Sequence, residues 1–515
     1  MYRSSTALRR RLAVAAAILA TSVCSALATP LPSVALGAAA VPAANTVAPG
    51  SRHSHGPHGS PPVSVAVEPQ DAFGAAVPED FLGLSFELSS VPELAGYSSR
   101  GDLVSLLRTL GTGVIRLGGI SADTETAWQT EAAPPTWART TIGPEQLAGI
   151  AGLARATGWR VLLTVNLGHY EPAAAAQEAQ AAQSSLGASL AGIAIGNEPD
   201  RYVADGLRTT PWSFADYLTE VAAYRAAIAA AAPGVPIVGP DASSGGLSVS
   251  WVTEAATGEH PALLTEHYYP LTRCQVYAPT LGDLLSPLTR AHESAFLAQM
   301  AAAARASGIP LRMAETNSVS CRGQPGVSNV FASALWATDY LARAMSSGVV
   351  GINFHDLIGE PESYSPLVAA VPEQLATGAL HANPEWYALL LARALLGDQP
   401  VRTSVAGGDD TLTAAAFASP SGNVHIVLVD FRPTGAGSRV VRLRLPRRFR
   451  AGPILRLSAP GMRSKTGVTL GGRAVAPDGT WHAGAALPRV SGGPGALELS
   501  VAAGSAALVT LYPVR

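Results

Sequence analysis

Charge is scarce in this chain. Asp, Glu, Lys and Arg make up 14% of its 515 residues and nearly cancel, to a formal net charge of -2. Such a balance gives no long-range pull toward nucleic acid or an anionic surface, so neither is expected as a partner. No His pair stands at metal-ligand spacing on an expected strand, and neither a metal nor a cofactor is expected. After the first 28 residues no uninterrupted apolar run reaches membrane length. What is abundant is apolar, at 48%, in an Ala-rich, globular composition that allows a large core.

The stretch "MYRSSTALRRRLAVAAAILATSVCSALATP" sets Arg3, Arg9, Arg10 and Arg11 before an apolar run that closes on the small residues Ala26 to Ala28. This is the layout of a secretory signal peptide over residues 1–28, and it predicts a secreted protein with no membrane contact after removal of the signal. Cys24 leaves with it, so of three cysteines only Cys274 and Cys321 stay. In an oxidising compartment two thiols, both following expected strands, most simply form one disulfide. Residues 29–61, with "SRHSHGPHGSPP", lack apolar periodicity and read as a linker.

From Phe81 onward strands alternate with helices. Eight continuous apolar runs stand out: 82–88, 113–119, 160–168, 190–198, 236–242, 263–269, 311–317 and 349–356. Between them lie stretches with helical spacing, many closed by Gly, such as "PEQLAGIAGLARATG". Apolar strands separated by helices imply a parallel sheet covered on both faces, and eight such units imply a (β/α)8 barrel over 81–397. An open doubly wound sheet would want a Gly-rich turn after its first strand, and "GLSFELSS" contains none. After residue 398 the helices stop and short strand-like runs continue to 515, a β-sandwich that "PPVSVAVEP", in the segment 62–80, is expected to join. The arginines of "SRVVRLRLPRRFR" (439–450 in part) read as a solvated sheet face or, alternatively, as a grip on an acidic polymer.

Two strands end on a carboxylate, which is costly unless something pairs or uses it. Glu198 closes the fourth run in "GIAIGNEPD", and Glu315 the seventh in "LRMAETNS". At the carboxyl ends of barrel strands both face one mouth. A facing pair of acids is what hydrolysis of a glycosidic bond requires, one to protonate the leaving oxygen and one to attack. Asn197 is placed to bind the sugar 2-hydroxyl, which makes Glu198 the acid/base and Glu315 the nucleophile. Tyr269, at the end of the sixth run, is placed to donate its hydroxyl to Glu315. Glu87, Asp123, Asn166 and His267 lie at or just after strand ends as candidates for sugar hydroxyls. Alternatively, Glu87 and Asp123 pair with Arg116, and His267 sits behind the site.

The motifs "GNEPD", "HYYP" and "AETNS", with "IRLGG" at the second strand, resemble the retaining glycosidases whose catalytic acids follow strands four and seven. More narrowly they are similar to glycoside hydrolase family 79, of β-glucuronidases and heparanases. The resemblance covers residues 62–515 and implies Glu198 as proton donor, Glu315 as nucleophile, and Asn197 and Tyr269 as their supports. It further implies a uronic carboxylate held by backbone amides after the nucleophile, here at Gly323, and by a tyrosine after the eighth strand, here Tyr364, with Arg322 as an additional partner or an exposed loop residue. The barrel loops hold few clustered arginines, which favours an exo-acting β-glucuronidase that removes terminal glucuronic acid over an endo-acting, heparanase-like enzyme. The alternatives are a related glycosidase acting on a neutral sugar, such as a xylosidase or arabinofuranosidase, and a carbohydrate-binding protein with a relict cleft.

Overall fold

The computed structural model describes residues 63–243, 248–445, 449–492 and 497–514. The expected signal peptide and linker, with Cys24, lie outside the described residues. The eight apolar runs form eight parallel strands: Leu82–Glu87, Val114–Gly118, Arg160–Val165, Leu190–Ile195, Ile237–Ala242, Leu263–Tyr268, Leu311–Thr316 and Gly351–Asp356. They close into a barrel in chain order, the last strand pairing with the first. Most of their residues are buried, because helices cover the outer face and side chains fill the interior.

The helices follow their local signals. Phe214–Ala231 starts at Ser213, whose side chain accepts from the backbone N–H of Asp216, satisfying an amide that the first turn leaves without a partner. Phe331–Ser347 is buried on nearly every face because it lies between the barrel and the C-terminal sheet. Its Phe331 N–H donates to the Ser464 carbonyl across that seam, at 2.8 Å. Among the described residues no helix is long and apolar enough to cross a membrane.

The C-terminal strands do not divide into two separate sheets. Together with Val63–Ala72 they make one nine-stranded sheet. Its curl brings Val441, Leu499 and Val501, near one edge, into the same buried cluster as Ile454, Val509 and Leu511, near the other. Val63–Ala72 runs between Gln399–Ala406, antiparallel, and Ser438–Arg444, parallel. The arginines of this sheet are largely spent on neighbours: Arg442 pairs with Glu498 at 2.7 Å, and Arg439 with Asp430 at 2.8 Å.

Val65 is fully buried within this sheet, paired with Val405 on one side and Leu443 on the other. Val65→Asp, which forces a carboxylate into an apolar layer, is expected to cost about 3 kcal/mol or more. Urea unfolding measures this, and an unchanged midpoint would contradict the place of Val65 in the sheet's buried cluster.

Candidate active site

Glu315 is the penultimate residue of the seventh strand, and His267 faces it in register on the sixth. Glu198 lies three residues past the fourth strand in a left-handed backbone conformation, φ 48° and ψ 52°, held by a 2.9 Å bond from its N–H to the Asp241 carbonyl. A non-glycine residue in that region costs energy and persists where its surroundings fix it. One oxygen of Glu198, one of Glu315 and a His267 nitrogen all lie within 4.8 Å of one another.

Arg116, from the middle of the second strand and 1% exposed, organises this floor. It donates to Glu315 Oε2 at 2.7 Å, Asn197 Oδ1 at 2.7 Å, Asp241 Oδ2 at 2.8 Å and Ser85 Oγ at 3.1 Å. Asn197 thus presents its oxygen to Arg116, and its Nδ2 has no hydrogen-bond partner among the described residues. The other oxygen of Glu315 accepts from the Tyr269 hydroxyl at 2.7 Å. His355, on the eighth strand, stands between two acids, with Nδ1 3.5 Å from Glu315 and Nε2 3.3 Å from Glu87.

These contacts set the charges. Burial alone would push the Glu315 carboxyl up, but the positive charges of His355, His267 and Arg116 and the Tyr269 hydrogen bond outweigh it and bring it down to about 2. Asp241 is likewise buried, yet Arg116 and then His267 hold it well below the usual carboxylate range. Burial and Arg116 both disfavour charge on His267, but Glu315, Asp241 and Glu198 win and raise it to about 9. His267 Nδ1 is 3.1 Å from Glu198 Oε1, a hydrogen bond, whereas Nε2 is 3.8 Å from Asp241, an ion-pair distance only. His355 is raised by Glu315 and Glu87 against the opposing effect of its burial.

The cluster of Glu198, His267 and Glu315 has a spacing a divalent cation would accept. Arg116 already sits on Glu315 where such a cation would bind, and a charged imidazole offers a metal no lone pair. The arrangement suits proton transfer and nucleophilic attack instead: one carboxylate locked as an anion, and a second, 21% exposed carboxylate beside it.

Several expected sugar contacts have other duties. Asp123 accepts from Leu167 N at 2.8 Å, Gly168 N at 2.9 Å, Asn197 N at 2.6 Å and Tyr202 Oη at 2.7 Å. Its lone pairs are spent, so it positions Asn197 rather than meeting substrate. Asn166 closes its own loop, donating to the Thr126 carbonyl and accepting from His169 N. Gly323 N donates to the Val319 carbonyl at 3.1 Å and is not free for a carboxylate. Its φ is 75°, and an added Cβ would lie 2.8 Å from Tyr364 N, so this glycine lets the two loops pack. Arg322 is 67% exposed and pairs with Glu360. Neither Glu87 nor Asp123 pairs with Arg116: Glu87 contacts His355 and accepts from Ser121 N at 2.9 Å. Tyr364 is buried, its ring 5.8 Å from that of Tyr269. A disulfide joins Cys274 to Cys321 and ties the loops after strands six and seven. Ser85, Asp241, His355 and the central role of Arg116 were not expected from the sequence. Their signal was a polar residue interrupting an apolar strand, the same signal that marked Glu315.

No protein-family model matches the chain. It is 30% identical over 190 residues to a β-glucuronidase of Aspergillus niger, a match covering 33% of this chain and 35% of that protein; the chain thus matches about a third of the relative's length. A 4-O-α-L-rhamnosyl-β-D-glucuronidase from Fusarium oxysporum superposes with a TM-score of 0.70 at 21% identity, over 86% of this chain and 100% of that one. A family 51 arabinofuranosidase from Xanthomonas axonopodis gives 0.62 at 14% identity, over 87% and 99%. The fold is therefore that of glycoside hydrolases built from a (β/α)8 barrel and an accompanying sheet domain.

The two central charges set a pH window for stability. Glu315 contributes fully above its ordinary value of 4.5, and this is lost as pH falls toward about 2. His267 contributes fully below 6.5, and this is lost as pH rises through about 9. In urea unfolding the wild type should lose stability between pH 6.5 and 9, and His267→Gln should show a flatter alkaline limb. Parallel limbs would mean that His267 is not held as a cation.

Proposed function

We propose that this protein is a retaining glycoside hydrolase. The observation that carries the reading is the approach of Glu198 and Glu315, with one oxygen of each within 4.8 Å of the other. Retaining enzymes need their two carboxyl groups ~5–5.5 Å apart, and inverting enzymes ~6.5–9.5 Å. In the first step the Glu315 carboxylate attacks the anomeric carbon. The bond to the glycosidic oxygen breaks with its electron pair, and Glu198 delivers a proton to that oxygen. In the second step Glu198 takes a proton from water, the water oxygen attacks the anomeric carbon, and Glu315 leaves as a carboxylate. Arg116, His355 and Tyr269 keep Glu315 ionised and aimed. Asn197 Nδ2 is available to the sugar 2-hydroxyl.

For the sugar we propose a terminal β-glucuronic acid, released in an exo manner from an exported enzyme. The β-glucuronidase of Aspergillus niger and the glucuronidase of Fusarium oxysporum support this, as does the buried Tyr364 beside the nucleophile. One observation favours the second reading, a neutral sugar: the Gly323 amide is already bonded, and arabinofuranosidases and a β-xylosidase from Caulobacter crescentus share the fold.

Nitrophenyl β-D-glucuronide, α-L-arabinofuranoside and β-D-xyloside separate the two readings. Turnover of the glucuronide alone is expected, and turnover only of a neutral glycoside would refute the uronic assignment. Proton NMR of the first sugar released should show retained configuration, and inversion would remove the mechanism. Glu198→Gln should lower kcat/KM about 10²–10⁴-fold on substrates with poor leaving groups, and less on nitrophenyl glycosides, whose leaving group needs no proton.

A further inference from the structure

Trp137 and His169 stack face to face, with ring centroids 3.7 Å apart and planes 8° from parallel. Trp137 lies on the excursion after the second barrel strand and His169 on the loop after the third, both at the carboxyl end of the barrel. Both are only partly buried. Neither the indole N–H of Trp137 nor the imidazole of His169 has a hydrogen-bond partner among the described residues, whereas the indoles of Trp159, Trp212 and Trp336 each donate to protein oxygens. Beside the stack Tyr170 is 51% exposed, its ring edge-on to Tyr224. The stack closes one face of each ring and leaves an outer face and polar edges, the apolar face and polar rim that a sugar or aryl ring requires.

The stack is tied to the proton donor. One carboxylate, Asp123, holds Gly168 N, next to His169, and Asn197 N, next to Glu198. The third strand, which leads to His169, pairs with the fourth, which leads to Glu198. Glu315 and its partners Tyr269 and Tyr364 come from strands six to eight and the loops after them. The acid's proton goes to the leaving oxygen, so the leaving group lies on the acid's side of the scissile bond.

Resting on the retaining-hydrolase reading above, we infer that Trp137 and His169 form the binding platform for the ring of the leaving group, a further sugar of an oligosaccharide or an aryl aglycone. His169 serves it as a neutral ring, because its burial lowers its basicity. The platform selects substrates in which a ring follows the cleaved bond.

The test compares wild type, Trp137→Ala, Trp137→Phe and His169→Ala on a disaccharide, a nitrophenyl glycoside and a methyl glycoside of whichever sugar the wild type hydrolyses, with thermal unfolding as the control for folding. Loss of one aromatic stacking contact should lower kcat/KM about tenfold on the two ring-bearing substrates, mainly through KM. Trp137→Phe should retain most of the activity, and the methyl glycoside should lose far less. Equal losses on all three substrates, or none on any, overturn the platform while leaving the hydrolase reading intact. If Trp137→Ala fails to fold, Trp137→Phe and His169→Ala decide by the same comparison. Absence of wild-type turnover on every glycoside would remove the hydrolase reading, and the platform with it.

Discussion

The buried guanidinium of Arg116 is the constraint on which this site depends. Taking a charged side chain out of water costs several kcal/mol unless it is fully paired. Arg116 meets that condition by touching Glu315, Asp241, Asn197 and Ser85 at once. Each of these partners comes from a different part of the barrel, so the closed sheet is what makes the pairing possible. In return the cluster fixes Glu315 as an anion and turns Asn197 so that its oxygen faces inward. Around it, Arg116, His267 and His355 stand against Glu315, Asp241 and Glu87, and His267 also reaches Glu198, which lies 3.5 Å from Arg201. Glu315 is buried against Arg116 while Glu198 is 21% exposed, so two chemically identical side chains sit in different surroundings.

Much of this was legible in the sequence. Eight apolar runs of strand length, separated by helix-spaced segments, gave the closed barrel, because residues buried on both faces leave a continuous apolar signature. Glu198 and Glu315 stood out because a carboxylate ending such a run needs a reason. The detailed partnerships were less legible. Asp123, Asn166 and Gly323 occupy the expected strand ends or loops, yet their polar atoms are consumed by backbone groups that only the folded chain brings near. Burial of charge is not diagnostic either. Arg312 is as buried as Arg116, but it binds Asn353 and the carbonyls of Asp80 and Phe81 at the opposite end of the barrel, where conserving structure is its task.

The sheet domain and the loops serve the same geometry. Helix Phe331–Ser347 follows the strand that carries Glu315 and is wedged against the nine-stranded sheet, which limits its freedom to shift. The Cys274–Cys321 disulfide and the short strand pair of Leu271–Thr272 with Val319–Ser320 join the loops beyond Tyr269 and Glu315. These two residues must stay within hydrogen-bonding distance, and cross-linking their loops reduces the ways in which they can part.

In the proposed reaction Glu315 is the carboxylate that the protein holds ready to bond to a sugar. A slow fluorinated glycoside of the hydrolysed sugar, followed by mass spectrometry of the digested protein, tests it directly. The sugar is expected on the peptide containing Glu315 and is expected to be absent in Glu315→Gln. A label on Glu198, or on any other residue, would contradict it.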